Sequence, residues 1–145
     1  MKHDMLSREI LAEATERLGD GPVVMINLLC FRDQPQYPNG FENMKTTSRA
    51  AYYEGYASAF QQIAAGLGIS TELVYAGSQL MTLLPEESET WDDIVIVRYN
   101  SFADLLAIID SSEYASQAEP HRLASIASWR FVATGSPGKT SQEHR

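Results

Sequence analysis

WDDIVIVRYNSFADLLAIIDSSEYASQAEPHR, residues 91–122, decides the fold. DIVIVRY at 93–99 is short and rich in β-branched residues, as a buried strand requires. Ser101 can cap a helix that follows, with Asp104 at the third position as a weaker form of the capping box. Phe102, Leu105, Leu106 and Ile109 then recur on one face of that helix. Residues 112–126 read as one or two short helical turns interrupted at Pro120, which lacks the N–H a helix interior needs. SWRFVAT at 128–134 is a further strand.

Upstream, the same plan occurs once more. Pro22 opens VVMINLLCF, residues 23–31, an aliphatic run bounded by turn residues and so a buried strand. Residues 32–45, with Pro35, Pro38, Asn39 and Gly40, form a loop longer than usual. A helix over 46–66 follows, with Ala50, Tyr53, Ala57, Phe60, Ala64 and Leu67 spaced by three and four. Gly66 and Gly68 suit its end. ELVYAGSQLMTL at 72–83 reads as a strand whose central Gly77 signals a bulge or a close approach. Pro85 to Thr90 is an acidic turn. Ahead of all this, residues 7–19 read as a helix with Ser7 as N-cap, Ile10, Leu11, Ala14 and Leu18 as its apolar stripe, and Gly19 as its stop.

After that first helix the order is strand, helix, strand, strand, helix, strand. This is the βαββαβ pattern of an α+β, ferredoxin-like domain, with both helices on one face of a four-stranded antiparallel sheet. It predicts an N-terminal helical extension over 1–21, the domain over 22–134 and a disordered tail over 135–145, where apolar residues nearly vanish. Strand alternation sends Val24, Ile26 and Leu28 one way and Val23, Met25, Asn27 and Leu29 the other. Both sets are mostly apolar, so both faces are expected to be buried. The helices cover one; a homodimer closing sheet on sheet covers the other.

These residues resemble DUF1330 proteins, a family of unknown function in the dimeric α/β-barrel group. The resemblance is carried by PVVMINLLCF at 22–31, Tyr52-Tyr53-Glu54-Gly55-Tyr56, Tyr75-Ala76-Gly77, Trp91-Asp92-Asp93 ahead of IVIVRYNS, and Tyr114 to Arg122, together spanning residues 22–134. It implies a dimeric α/β barrel. Proteins of that superfamily include small monooxygenases, isomerases and dehalogenases as well as proteins without known activity, so it implies no single reaction.

Composition narrows the partners. The 145 residues carry a net charge of −8, which repels nucleic acid and anionic membrane surfaces. No apolar run is long enough to span a bilayer and MKHDMLSREI lacks a secretory core, so the protein is expected in the cytoplasm. The single Cys30 has no partner for an internal disulfide and is expected to be buried and inert. With one histidine in the ordered core and no Cys/His cluster, no metal site is expected, and without GxGxxG no nucleotide cofactor is either. Gly138-Lys139-Thr140 lacks the first glycine and the helix of a phosphate loop.

Candidate chemistry is sparse. Asn27 interrupts an aliphatic strand on the face assigned to the barrel interior, where an amide must find partners. It either orients a ligand or bonds to a neighbouring strand. His121 is the best acid–base candidate, because imidazole titrates near neutral pH, and Arg122 beside it suits a carboxylate. The pair can equally stabilise a turn. Asp92 is a candidate general base and Trp91 a pocket wall at the mouth of a strand, or else a turn cap and the end of the core. Arg49, Tyr52 and Tyr56 share one helix face and offer a cation and two phenols to a substrate, or simply a solvated edge. Alternation puts Arg98 with Ile94 and Ile96 and leaves open which way that set, and Arg130, faces.

Two functional classes fit. One is a cofactor-independent enzyme performing proton transfer or oxygenation on a small organic molecule. In it His121, Asn27 and Asp92 are catalytic, and Arg49, Tyr52, Tyr56, Trp91 and Arg122 bind substrate. The other is a non-catalytic dimeric module that binds a small ligand or supports an assembly. The first requires Asn27 and His121 in one pocket.

Overall fold

The computed structural model describes residues 6–84 and 90–135. Most of the acidic turn after Pro85, His3, His144 and the tail from 136 lie outside the described residues. Four strands, β1 (Val23–Phe31), β2 (Thr71–Ser78), β3 (Asp93–Tyr99) and β4 (Ile126–Thr134), form one sheet in the order β2-β3-β1-β4. Every neighbouring pair is antiparallel. Helix α1 (Arg8–Leu18) precedes the sheet, α2 spans 48–66, α3 is Phe102–Ile109 and α4 spans 114–125. This is the expected ferredoxin-like arrangement. No helix among the described residues is long and apolar enough to cross a membrane.

Burial alternates along β1: Val23, Met25, Asn27 and Leu29 are buried, while Val24, Ile26 and Leu28 are only partly covered. The inward set meets the helices, where Met25, Phe60, Ile63, Phe102, Leu105 and Ile108 form the larger core cluster. Ser101 caps α3 as expected, its hydroxyl accepting the Asp104 N–H at 3.1 Å. The buried stripe of α3 is Phe102, Leu105 and Ile108; Leu106 and Ile109, expected within it, lie at its margin. Ser7 caps α1, and Leu11, Ala14 and Leu18 pack on the core, but Ile10 turns outward.

Two strand boundaries differ from expectation. β2 ends at Ser78, opposite Asp93 where β3 begins; past it the Gln79 N–H donates to the Asp92 carbonyl at 2.8 Å and the pairing stops. Leu80, Met81, Leu83 and Leu84 are consequently exposed. β4 begins at Ile126, which pairs with Phe31 across an irregularity in the ladder. Of the two expected causes, a close approach applies at Gly77, which stays in register opposite Ile94; the bulge of the strand falls about three residues earlier. The β2–β3 register shifts between Leu73 and Tyr75, and the Tyr75 ring lies where a Cβ on Gly77 would go.

The largest departure is in α2. Residues Ser48–Ala50 and Ser58–Gly66 are α-helical, but Ala51–Ala57 wind as a wider π-helical segment. Its buried residues are Ala51, Tyr52 and Gly55, followed by Phe60, Ile63 and Ala64. The step from Gly55 to Phe60 is one residue longer than a regular helix allows. The expected stripe through Ala50, Tyr53 and Ala57 extrapolates the later half of the helix backwards at constant pitch. The inserted residue rotates the earlier half, and Tyr52 turns in place of Tyr53. A second π segment, Tyr114–Ala118, opens α4, and Pro120 sits in the first turn of its α-helical part Glu119–Ser125.

Candidate functional site

Between the inner sheet face and the helices lies a mainly apolar cavity of about 390 Å³. The sheet supplies Asn27, Val95, Val97, Tyr99, Trp129 and Phe131. The π segment of α2 supplies Tyr52, Tyr53 and Tyr56, and the π segment of α4 supplies Tyr114. Its volume falls in the range of small-molecule sites, about 300–1,000 Å³. Leu73 lines it and is also exposed, so the cavity reaches the β2 edge of the sheet.

Asn27 sits in the cavity wall and is also clamped. Its Nδ2 donates to the Val95 carbonyl at 3.0 Å, and its Oδ1 accepts the Trp129 indole N–H at 2.9 Å. These bonds fix the amide orientation, which satisfies the structural reading of this residue, while its second amide proton meets no acceptor among the described residues. Tyr52 stacks on Tyr56 with centroids 5.5 Å apart, and the Tyr56 hydroxyl meets the Tyr114 hydroxyl at 2.9 Å. Burial drives the phenols of Tyr52, Tyr56 and Tyr99 above their ordinary pKa, so these three are neutral hydroxyls at neutral pH.

Arg122 lies immediately behind this wall, only 2% exposed. Its guanidinium stacks over the Trp129 ring at 4.9 Å, pairs with Glu119 at 3.1 Å and hydrogen-bonds the Tyr114 side chain. Burial disfavours its charge, but Tyr114, Tyr56 and Glu119 outweigh that and raise its pKa further. Arg122 therefore touches the cavity wall from behind, at Tyr114 and Trp129.

The other expected site residues are elsewhere. His121 is buried on the outer side of the helix layer. Its Nδ1 meets the Tyr37 hydroxyl at 2.6 Å, and Tyr37 and Phe41 pack edge-on to its ring. Gly55 of α2 packs directly on it; a Cβ there would run into the imidazole. Burial, and then Lys45, hold this histidine below its usual pKa. His121 opens onto a separate surface groove with Glu54, Gln117 and Gln62, so it and Asn27 do not converge.

Asp92 accepts the Phe31 N–H at 2.9 Å and caps the end of β1, which accounts for it without a catalytic role. Trp91 lies against Arg130 at 5.3 Å, away from the cavity lining. Arg49 is half exposed and pairs with Asp93 at 2.7 Å, and the Tyr53 hydroxyl donates to the same carboxylate at 2.6 Å. Burial pushes the Asp93 carboxyl up, but hydrogen bonds from Arg49, Tyr53 and Ser78 more than offset it and hold the carboxyl below its ordinary range. Cys30 is half-buried, its thiol donating to the Thr90 carbonyl at 2.7 Å, and burial keeps it protonated.

Of the eight expected site residues, the cavity thus gathers Asn27, Tyr52 and Tyr56, with Arg122 as their backing. Tyr114, Trp129 and Asp93 went unrecognised in the sequence as polar partners. An inward indole on β4, two residues from Phe131, was the one available signal for Trp129.

No family model matches the chain, and no curated protein matches it. Among solved structures it is similar to a protein of unknown function from Rhodopseudomonas palustris. The two are 26% identical over 94% of this chain and 98% of that one, with a TM-score of 0.78. The methylated form of that protein gives 27% identity and the same TM-score of 0.78. A dabb-family protein with a ferredoxin-like fold from Mesorhizobium loti is 7% identical over 81% of this chain and 99% of that one, with a TM-score of 0.50. At that identity the likeness speaks to fold alone. Sheet order, helix placement and these neighbours together assign the chain a ferredoxin-like α+β fold.

Proposed function

We propose that the chain is a cytoplasmic, homodimeric binding protein of DUF1330 type that holds one small, mainly apolar organic molecule in the cavity between sheet and helices. The observation that carries this is the cavity itself: about 390 Å³, walled by aromatic and aliphatic side chains, with Asn27 and a tyrosine pair as its polar points. The enzyme reading needs His121 and Asn27 in one pocket. Their separation favours binding over His121-driven proton transfer.

The dimer rests on the outer sheet face. Its register places Tyr75, Ile96, Ile26 and Val132 side by side across all four strands. Arg98 and Arg130 both lie on this face, with Arg98 beside Glu72 and Arg130 beside Leu28. A second copy, presenting the same apolar row, matches it better than water does.

Toluene titrated into ¹⁵N-labelled protein tests the binding reading. The Trp129 indole N–H and the Asn27 side-chain amide should shift saturably, while the Trp91 indole stays put. Saturable movement of Trp91 alone, or of no indole, counts against the cavity.

A further inference from the structure

The two partners of Asn27 settle which way its amide points. A backbone carbonyl only accepts and an indole N–H only donates, so Nδ2 faces Val95 on β3 and Oδ1 faces Trp129 on β4. The residue is 7% exposed and lines the cavity. Its Oδ1 and the Val95 carbonyl each already hold a proton, while the second Nδ2 proton meets no acceptor among the described residues. This point of the wall therefore has a proton to give, on an amide held in place by two strands before any ligand arrives.

The surroundings limit what can take that proton. A hydroxyl or an amine brings a proton of its own to a stretch of wall whose acceptors are in use. A carboxylate brings a negative charge. Burial lifts the Tyr52, Tyr56 and Tyr99 phenols above their ordinary pKa, so the same cavity disfavours a negative oxygen. The group that fits accepts a hydrogen bond, donates none and is uncharged.

Resting on the assignment of this cavity as the ligand site, we propose that its ligand is a neutral ketone or ester on an apolar body, with the carbonyl oxygen accepting the second Asn27 amide proton. Asn27 is then a ligand-binding residue. Val95 and Trp129 are positioning residues that act through it.

The test uses three probes of nearly one shape, acetophenone, 1-phenylethanol and isopropylbenzene, with benzoate as the charged comparison. In ¹⁵N-labelled wild type each bound probe should move the Trp129 indole resonance. Acetophenone alone should carry one Asn27 side-chain amide proton downfield, the one not bonded to Val95, and its carbonyl stretch should fall below its value in hexane. It should bind about tenfold more tightly than 1-phenylethanol, whose buried hydroxyl proton goes unpaired. Benzoate should bind more weakly than acetophenone. Asn27→Leu combined with Trp129→Phe removes both side-chain donors, so the preference for acetophenone over 1-phenylethanol should vanish while isopropylbenzene still binds.

The proposal is overturned if acetophenone leaves both Asn27 amide protons where isopropylbenzene leaves them, if its preference survives the double substitution, or if benzoate binds more tightly. The wild-type amide readout decides the matter by itself should the double variant fail to fold. If isopropylbenzene moves the Trp129 indole and acetophenone gains nothing over 1-phenylethanol, this proposal fails and the cavity reading stands. If no probe moves that indole, both fall.

Discussion

Replacing Gly55 with alanine should destabilise the protein, against the ordinary direction of that change. In a helix interior, alanine is favoured over glycine by about 0.5–1 kcal/mol. Here the added Cβ would run into Nδ1, Cγ and Cε1 of His121. That ring is 1% exposed and is held by the Tyr37 hydroxyl and by Tyr37 and Phe41 packed edge-on. Either the ring gives up these contacts or α2 and α4 part. Overpacking of this kind costs about 1–3 kcal/mol. Subtracting the propensity gain leaves a net loss of about 1 kcal/mol, or roughly 4 °C in Tm for a chain of this size. Urea and thermal unfolding of wild type, Gly55→Ala, His121→Ala and the double variant measure it. In the His121→Ala background the alanine should become neutral or stabilising. The reasoning is refuted if Gly55→Ala stabilises the wild type, or if its penalty persists undiminished without the imidazole.

Asn27→Leu keeps the side-chain size but strands the Trp129 indole N–H, at a cost of about 1–3 kcal/mol by urea unfolding. Combined with Trp129→Phe, it should lose less than the sum of the two single changes. Asp93→Asn should cost about 1–3 kcal/mol at neutral pH, because Arg49 and Tyr53 lose their shared carboxylate. The folded pKa of Asp93 lies below its unfolded value of about 3.9, so its contribution is present above that pH and lost as pH falls through the folded pKa. The gap between wild type and Asp93→Asn should therefore narrow below about pH 4 and stay constant above it. Ile26→Asp puts a charge in the middle of the apolar row. Light scattering should find the wild type at about twice 16.1 kDa and the variant at the single-chain mass. A wild type already at the single-chain mass contradicts the dimer.

The fold was legible because its signals are periodic and local. Alternation in β1 and β3, the Ser101 cap and the order of elements all survive in the structure. The site was less legible because it depends on departures from periodicity. The π segment of α2 rotates Tyr52 inward and Tyr53 toward Asp93, and no 3.6-residue pattern announces that extra residue. Asn27 was visible as a polar break in an apolar strand, but its partners Val95 and Trp129 come from other strands, 68 and 102 residues away. His121 and Arg122 adjoin in sequence, yet successive helical positions diverge by about 100°. One faces Tyr37 on the outer side, and the other backs the cavity through Trp129.

Where a small apolar molecule sits is the most direct question. Intermolecular NOEs from bound toluene answer it on the wild-type protein. The account predicts contacts to the Val95 and Val97 methyls and the Trp129 and Phe131 rings, all on the inner sheet face. Contacts confined to Ile26, Ile96 and Val132 on the outer face would contradict it.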